Sequence, residues 1–289
     1  DEVICPAFTF VATANAVRLV GAESVFADID PATYNVTAKT LAPHITRRTV
    51  AIIVVHEFGL AANMTAIAAL ARKHDLRVIE DAACAAGAKW RGRHVGTFGD
   101  FGTFSFHPRK ILTTGEGGMV IARTPAMLER VRELRNHGAS TRGRDDYVRV
   151  GLNYRLTDLQ AAVGRVQLAK LPEMIAERRL VAAAYSGALR GTVARVPVVP
   201  RGATHTFQSY VVDVKDRAAV MEALAKKGIS TRPGAHAVPL LAAYRRHPAT
   251  SKVDAAIHAH AHALALPVFP GITEAERARV VDAIRKAVV

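Results

Sequence analysis

The chain has 289 residues, 50% of them hydrophobic, which is enough to bury a sizeable core in one large domain or in one large and one small domain. Its 39 Lys and Arg exceed its 25 Asp and Glu by 14, yet no basic run is longer than Arg47-Arg48 or Lys226-Lys227 and only 6% of residues are aromatic. Nucleic-acid binders concentrate charge and stacking rings, so no nucleic-acid partner is indicated, whereas an anionic small molecule suits the balance. No uninterrupted apolar run reaches the roughly 18 residues of a membrane span, no signal-peptide pattern opens the chain, and Cys5 and Cys84 match no metal or CxxC spacing. These features predict a cytoplasmic protein with reduced thiols and no membrane partner.

In chain order, Asp1 to Cys5, Phe10 to Leu19 and Ser24 to Asp28 read as strand, helix and strand. The run Ala51-Ile52-Ile53-Val54-Val55, the helical spacing from Met64 to His74 and the apolar Leu76-Arg77-Val78-Ile79 repeat the pattern. Such alternation predicts βαβ units with right-handed crossovers, hence an α/β domain on a mostly parallel sheet. Phe101 to Phe106 and Met119 to Ala122 supply two further strands. A long helical segment runs from Asp158 to Leu189, with a break or kink expected at Leu171-Pro172. Beyond it, Gln208 to Val214 reads as a strand, Arg217 to Lys227 as a helix ended by Gly228, and Glu274 to Val288 as a terminal helix. This texture divides the chain into a large α/β domain, 1–171, and a smaller α+β domain, 172–289.

Ligands of open α/β sheets settle at the carboxyl ends of strands. Asp81 follows one strand there, and Ser105 and Lys110 follow another, just ahead of the turn Thr113-Thr114-Gly115-Glu116-Gly117-Gly118. A lysine facing a carboxylate across one crevice can bind an aldehyde cofactor as a Schiff base while the carboxylate keeps the cofactor's ring nitrogen protonated. Each residue taken singly has a plainer reading: a solvated lysine, a turn aspartate, a glycine turn. His258, His260 and His262 alternate with alanine, which on a helix would place His258 and His262 on one face; a third ligand is not evident and no metal site is assigned.

The ordered set PAFTFVATANAV (6–17), VFADIDPATYNV (25–36), VVHEFGLAANMTAI (54–67), VIEDAACAAGAKWRGRHVGTFGD (78–100), FSFHPRKILTTGEGGMV (104–120), RNHG (135–138) and GLNYRLTDLQAAVG (151–164) resembles the DegT/DnrJ/EryC1/StrS family. HTFQSYVV, GISTRPGAHAV and LALPVFPGIT extend the similarity toward the C-terminus. The resemblance implies a fold-type-I pyridoxal 5'-phosphate (PLP) transferase, aspartate-aminotransferase-like. It also implies transfer of an amino group from glutamate or glutamine to a nucleotide-linked keto-sugar by a homodimer with shared sites.

Position by position, Lys110 matches the lysine of the internal aldimine, Asp81 the partner of the pyridine nitrogen, Ser105 a phosphate-holding hydroxyl and Phe10 a ring that stacks on the cofactor. Cys84 falls where many members carry Gln or His toward the ring hydroxyl, a departure, because a thiol is a weak donor. Asn153 and Arg155 match the segment that reaches the neighbouring subunit's phosphate, and a permanently charged, forked guanidinium suits that task. His236 falls in a segment near the sugar. Family members carry further residues ahead of the counterpart of Asp1, including a Ser-Gly-Thr turn and a helix N-terminus that grip the phosphate. A fragment or truncated gene product with a weakened anion anchor is therefore expected. Two other readings stand beside the aminotransferase: a sugar dehydratase on the same scaffold, in which His replaces the lysine, and an inactive remnant serving as a dimerisation module.

Overall fold

A computed structural model describes residues 1–141, 146–245 and 252–288. The elements in chain order are β1 (Glu2–Pro6), β2 (Phe8–Thr9), α1 (Ala12–Leu19), β3 (Glu23–Ala27), α2 (Ala38–Leu41), β4 (Thr49–Val55), α3 (Met64–Lys73) and β5 (Arg77–Asp81). Next come β6 (Lys89–Trp90), β7 (Arg93–His94), β8 (Phe101–Ser105), β9 (Gly118–Ala122), α4 (Pro125–Leu134) and α5 (Asp158–Leu189). The C-terminal part holds β10 (Tyr210–Asp213), α6 (Arg217–Lys226), β11 (Arg232–Pro233), β12 (His236–Ala237), α7 (Asp254–His262), β13 (Ala263–Leu266) and α8 (Glu274–Ala287).

Among the described residues, six strands form the main sheet in the order β3-β1-β4-β5-β8-β9. The first five run parallel and β9 returns antiparallel along β8. This is the α/β architecture that the strand-helix alternation predicts. The apolar run of β4 is buried at every position but Val50, as a central strand covered on both faces must be. Ile4, Phe8, Phe26, Ile52, Met64 and Ile67 sit at the heart of the large core. A second core gathers Tyr185, Leu189, Tyr210, Leu224, Leu264 and Ile284 around the three-stranded sheet β10-β13-β11.

Helix starts follow local chemistry. Thr157 and Gln160 form a reciprocal capping box at the head of α5, and Thr273 and Glu276 do the same for α8, each satisfying otherwise orphaned backbone N–H groups. The helix α5 keeps the bounds read from the sequence, and Pro172 lies inside one 32-residue helix instead of breaking it. Leu171 and Ile175 pack on either side of this point in a small core with Ile111 and Leu112, and those tertiary contacts outweigh proline's local penalty. The strand pair β2–β12, His236 opposite Thr9 and Ala237 opposite Phe8, stitches the C-terminal part to the edge of the main sheet's carboxyl end.

Glu80, wholly buried on β5, carries the most hydrogen-bonded carboxylate of the region. It accepts from the backbone N–H groups of Gly96 (2.8 Å), Phe98 (2.5 Å) and Gly99 (2.7 Å), and it meets His56 Nε2 at 3.0 Å. The Ala62 N–H donates to His56 Nδ1 at 3.1 Å, so the ring's proton sits on Nε2 and points at Glu80. Burial alone would raise the Glu80 pKa, but His56 and the backbone donors overcome it, and the carboxyl lies below its ordinary 4.5. A depressed folded-state pKa contributes stability that is present above 4.5 and lost as pH falls through the folded value. Glu80→Ala, which strands these buried donors, is expected to cost about 3 kcal/mol or more in denaturant unfolding. The stability gap between wild type and Glu80→Gln is expected to narrow as the titration proceeds below about pH 5.

Candidate active site

The fold brings Asp81, Cys84, Ser105 and Lys110 to the carboxyl ends of neighbouring strands β5 and β8. Asp81 closes β5, half-buried, with Oδ2 accepting from Thr13 Oγ1 at 2.8 Å and Oδ1 from the Ala83 N–H at 3.1 Å. Thr13 comes from α1, whose first turn packs over this strand end. Lys110 sits in the loop after β8, its N–H donating to the His107 carbonyl at 2.9 Å. The Lys110 amine donates to Cys84 Sγ at 3.1 Å. Burial pushes the Cys84 thiol up to about 11, Glu57 and Asp81 reinforce the shift, and Lys110 opposes it. The amine therefore faces a neutral thiol at neutral pH.

Gln208 braces the Lys110 loop from the C-terminal part. Its Oε1 accepts from the Ile111 N–H at 2.9 Å and its Nε2 donates to the Arg109 carbonyl at 2.6 Å, so both peptides flanking the lysine are held. Ser105 ends β8 opposite Gly118, with Oγ accepting from the His107 N–H at 3.4 Å. In the glycine turn, Gly117 adopts φ +151°, and a Cβ there would stand 2.7 Å from Thr114 Oγ1 and 2.8 Å from Leu156 Cδ1. The missing side chain lets the turn pack on the segment leading to α5.

Phe10 stands between β2 and α1 with 68% of its surface exposed, three residues ahead of Thr13. His236 lies across β2 from Thr9, exposed at the rim, and its ring centroid is 6.0 Å from that of His260. Asn153 and Arg155 are exposed; Asn153 pairs with Asn136 across an isolated bridge, and the Arg155 guanidinium hydrogen-bonds the Asn136 side chain. Gly138, at φ +86°, allows this arrangement, since a Cβ would come within 1.7 Å of the Arg149 carbonyl oxygen. Their exposed placement differs from that of the four residues gathered at the ends of β5 and β8.

Three contributors escape sequence reading. Thr13 and Gln208 act through contacts 68 and about 100 residues away in the chain. Glu57, which follows β4, is 5% exposed, and burial together with the charge of Asp81 pushes its carboxyl up to about 8 against the lowering effects of Thr9 and Lys110. The one legible signal for Glu57 is its place directly after a buried apolar strand.

Elsewhere, a cleft of about 620 Å³ opens in the C-terminal part beyond Gln208, lined in part by Arg232, Pro267, Phe269 and Arg279 and not by Lys110. His258 and His262 do share a helix face, with rings stacked at 4.3 Å, and His258 Nε2 meets Asp213 Oδ2 at 3.0 Å. No group of three or more metal-ligating side chains is found among the described residues, and none of their helices is long and apolar enough to cross a membrane.

Known proteins share this architecture and sequence. The chain is 41% identical to a UDP-N-acetyl-3-dehydro-alpha-D-glucosamine 3-aminotransferase of Acidithiobacillus ferrooxidans, covering 99% of this chain and 77% of that protein. It is 38% identical to a dTDP-4-dehydro-2,3,6-trideoxy-D-glucose 4-aminotransferase of Saccharopolyspora spinosa, covering 100% and 78%. A Streptococcus pneumoniae protein assigned as a sugar aminotransferase, solved in its PLP form, superposes with a TM-score of 0.93 at 25% identity, covering 100% of this chain and 81% of that one. The model of the DegT/DnrJ/EryC1/StrS aminotransferase family matches residues 1–285, and with these relatives and this fold-type-I architecture the chain belongs to that family of aminotransferases.

Proposed function

We propose that the chain moves an amino group from glutamate or glutamine to a keto-sugar carried on a nucleoside diphosphate, with pyridoxal phosphate held at Lys110. The observation that carries this reading is the convergence of Lys110 and Asp81 on one crevice. Asp81 closes β5 and Lys110 lies in the loop that follows the adjacent β8, the amine meets a neutral thiol, and the carboxylate keeps lone pairs free beyond its bonds from Thr13 and Ala83.

Pyridoxal phosphate fits this donor set. Lys110 offers a primary amine for the aldehyde, Asp81 an anion for the ring nitrogen, the exposed Phe10 ring a stacking face, and Ser105 a hydroxyl for the phosphate. When bound, the cofactor supplies an electron sink for the charge left as a Cα proton departs. The chain's own residues do the rest. Asp81, fixed by Thr13, would hold a carboxylate toward the ring nitrogen, and Lys110 would accept and return a proton at Nζ. A lysine at this position supports amino transfer over the dehydratase reading, whose relatives carry His.

The sugar is the less defined partner. The two relatives act at different carbons by name, a 3-aminotransferase and a 4-aminotransferase, and differ in nucleotide, UDP against dTDP. A net charge of +14 favours any diphosphate-linked substrate by long-range steering. His236, at the rim beside Thr9 and Phe10, is the residue we assign to the sugar side. Two free cysteines support a reducing, cytoplasmic setting.

We further propose a homodimer in which Asn153 and Arg155 reach the phosphate in the partner's site. Both are exposed here, and around them Val150 (95% exposed), Leu152 and Tyr154 continue into Leu159, Val163 and Val166, spaced along one face of α5. An apolar face of this kind marks an association surface.

Two measurements test these assignments. Lys110→Ala is expected to lose the visible absorbance that wild type acquires with pyridoxal phosphate and to yield no borohydride-fixed adduct on its peptide; a band retained in the variant would show that another group binds the aldehyde. Lys110→Ala and Arg155→Ala are each expected to be inactive in amino transfer, while a mixture refolded together regains activity, because a mixed dimer rebuilds one intact site. A mixture as inactive as its components would place Arg155 within its own subunit's site or outside any.

A further inference from the structure

Glu57 lies two residues past the end of β4, near the end of β5, since Val55 pairs with Asp81 and the His56 N–H donates to the Asp81 carbonyl at 3.0 Å. Its backbone is fixed by Asn35, whose Oδ1 accepts from the Glu57 N–H at 2.8 Å. The side chain is buried to 5% exposure, yet carboxyl oxygen Oε2 has no hydrogen-bond partner among the described residues. An ionised carboxylate at that depth with one oxygen unserved is costly, and protonation relieves the cost.

The groups facing it agree. Thr9 on β2 favours the charged carboxyl, Asp81 on β5 repels its negative charge, Lys110 in the loop after β8 attracts it, and Cys84 after β5 feels its charge in turn. On the other side, Tyr34 and His205 line a small cavity with it. Burial drives the His205 pKa down to about 3, and Tyr34 is raised chiefly by burial, so both are neutral and neither offsets a carboxylate. Burial and Asp81 win, and Glu57 holds its proton to about pH 8. Cys84 next to it is a weak donor whose sulfur already receives the Lys110 amine.

We propose that Glu57 serves the Lys110 site as a carboxylic acid whose Oε2–H is the strong hydrogen-bond donor offered to an acceptor oxygen of the molecule held there. The proposal rests on the reading of Lys110 as the residue that binds a carbonyl ligand. It gives the site an acidic hydroxyl where Cys84 provides only a thiol. Loss of the proton to solvent turns the donor into a second carboxylate beside Asp81, which repels that same oxygen. Ligand binding therefore weakens as pH rises through the Glu57 titration.

The test has two arms. In the chain without cofactor, Cys84 reports the charge on Glu57, because the thiolate is the form that iodoacetamide alkylates. Cys5, fully buried with its thiol pushed up to about 12, stays unreactive while the fold is intact. The wild-type alkylation rate is expected to climb with pH, to bend near pH 8 and to run severalfold below its extrapolated line, whereas Glu57→Gln climbs without a bend. A straight wild-type profile overturns the proposal whether or not the variant folds.

The second arm measures bound pyridoxal phosphate by equilibrium dialysis across the same range. Affinity is expected to drop above pH 8 in wild type and to hold in Glu57→Gln, which keeps an N–H donor in place. Identical pH profiles in the two proteins overturn the donor role and leave the Lys110 reading intact. A bent alkylation profile with no binding by wild type at any pH overturns the Lys110 reading, and the donor role with it.

Discussion

The geometry of the site depends on a single buried carboxylate that is not itself in the site. Glu80 draws three backbone N–H groups of the 96–99 turn and the His56 imidazole onto one strand, all from within the core. Its neighbours in sequence and space are the residues of the candidate site. Asp81 follows it, His56 precedes Glu57, and the turn it gathers leads into β8, which delivers Ser105 and Lys110. One fully satisfied anion thus sets the relative height of three strand ends, and low surrounding dielectric makes that registration stiff.

A second layer of constraint comes from far along the chain. Gln208 clamps the peptides on both sides of Lys110, and the β2–β12 pair joins His236 to Thr9 next to Phe10. Arg178 on α5, largely buried, donates to the carbonyls of Phe207 (3.0 Å) and Val268 (2.8 Å), which fixes the approach to Gln208. The crevice is therefore built by the main sheet but closed by residues from far along the chain. Local chemistry occupies one module and its alignment another.

That division explains what the amino-acid sequence reveals. Strand-helix alternation exposes the parallel sheet because burial on both faces writes apolar runs such as Ile52 to Val55, and Asp81 and Lys110 are legible as polar residues placed just past such runs. Thr13 and Gln208 are not, since a threonine in a helix and a glutamine before a strand acquire roles only through tertiary contact. Glu57 is hidden for a different reason: a glutamate after a strand looks solvated, and its burial comes from tertiary packing, with Tyr34, Phe58 and His205 lining a small cavity beside it. Pro172 misleads in the opposite sense, because the packing of Leu171 and Ile175 carries the helix through a residue that local propensity reads as a stop.

The clamp by Gln208 has a consequence for how the lysine can move. With the Arg109 carbonyl and the Ile111 N–H both held by one side-chain amide, the Lys110 Cα is a fixed pivot. The amine can leave one partner and find another only by rotation about its own four-carbon stem, an excursion of fast rotamer motion that needs no loop rearrangement. An amine mounted in this way returns to the same point after every swing, so precision is stored in the backbone and mobility is confined to the side chain.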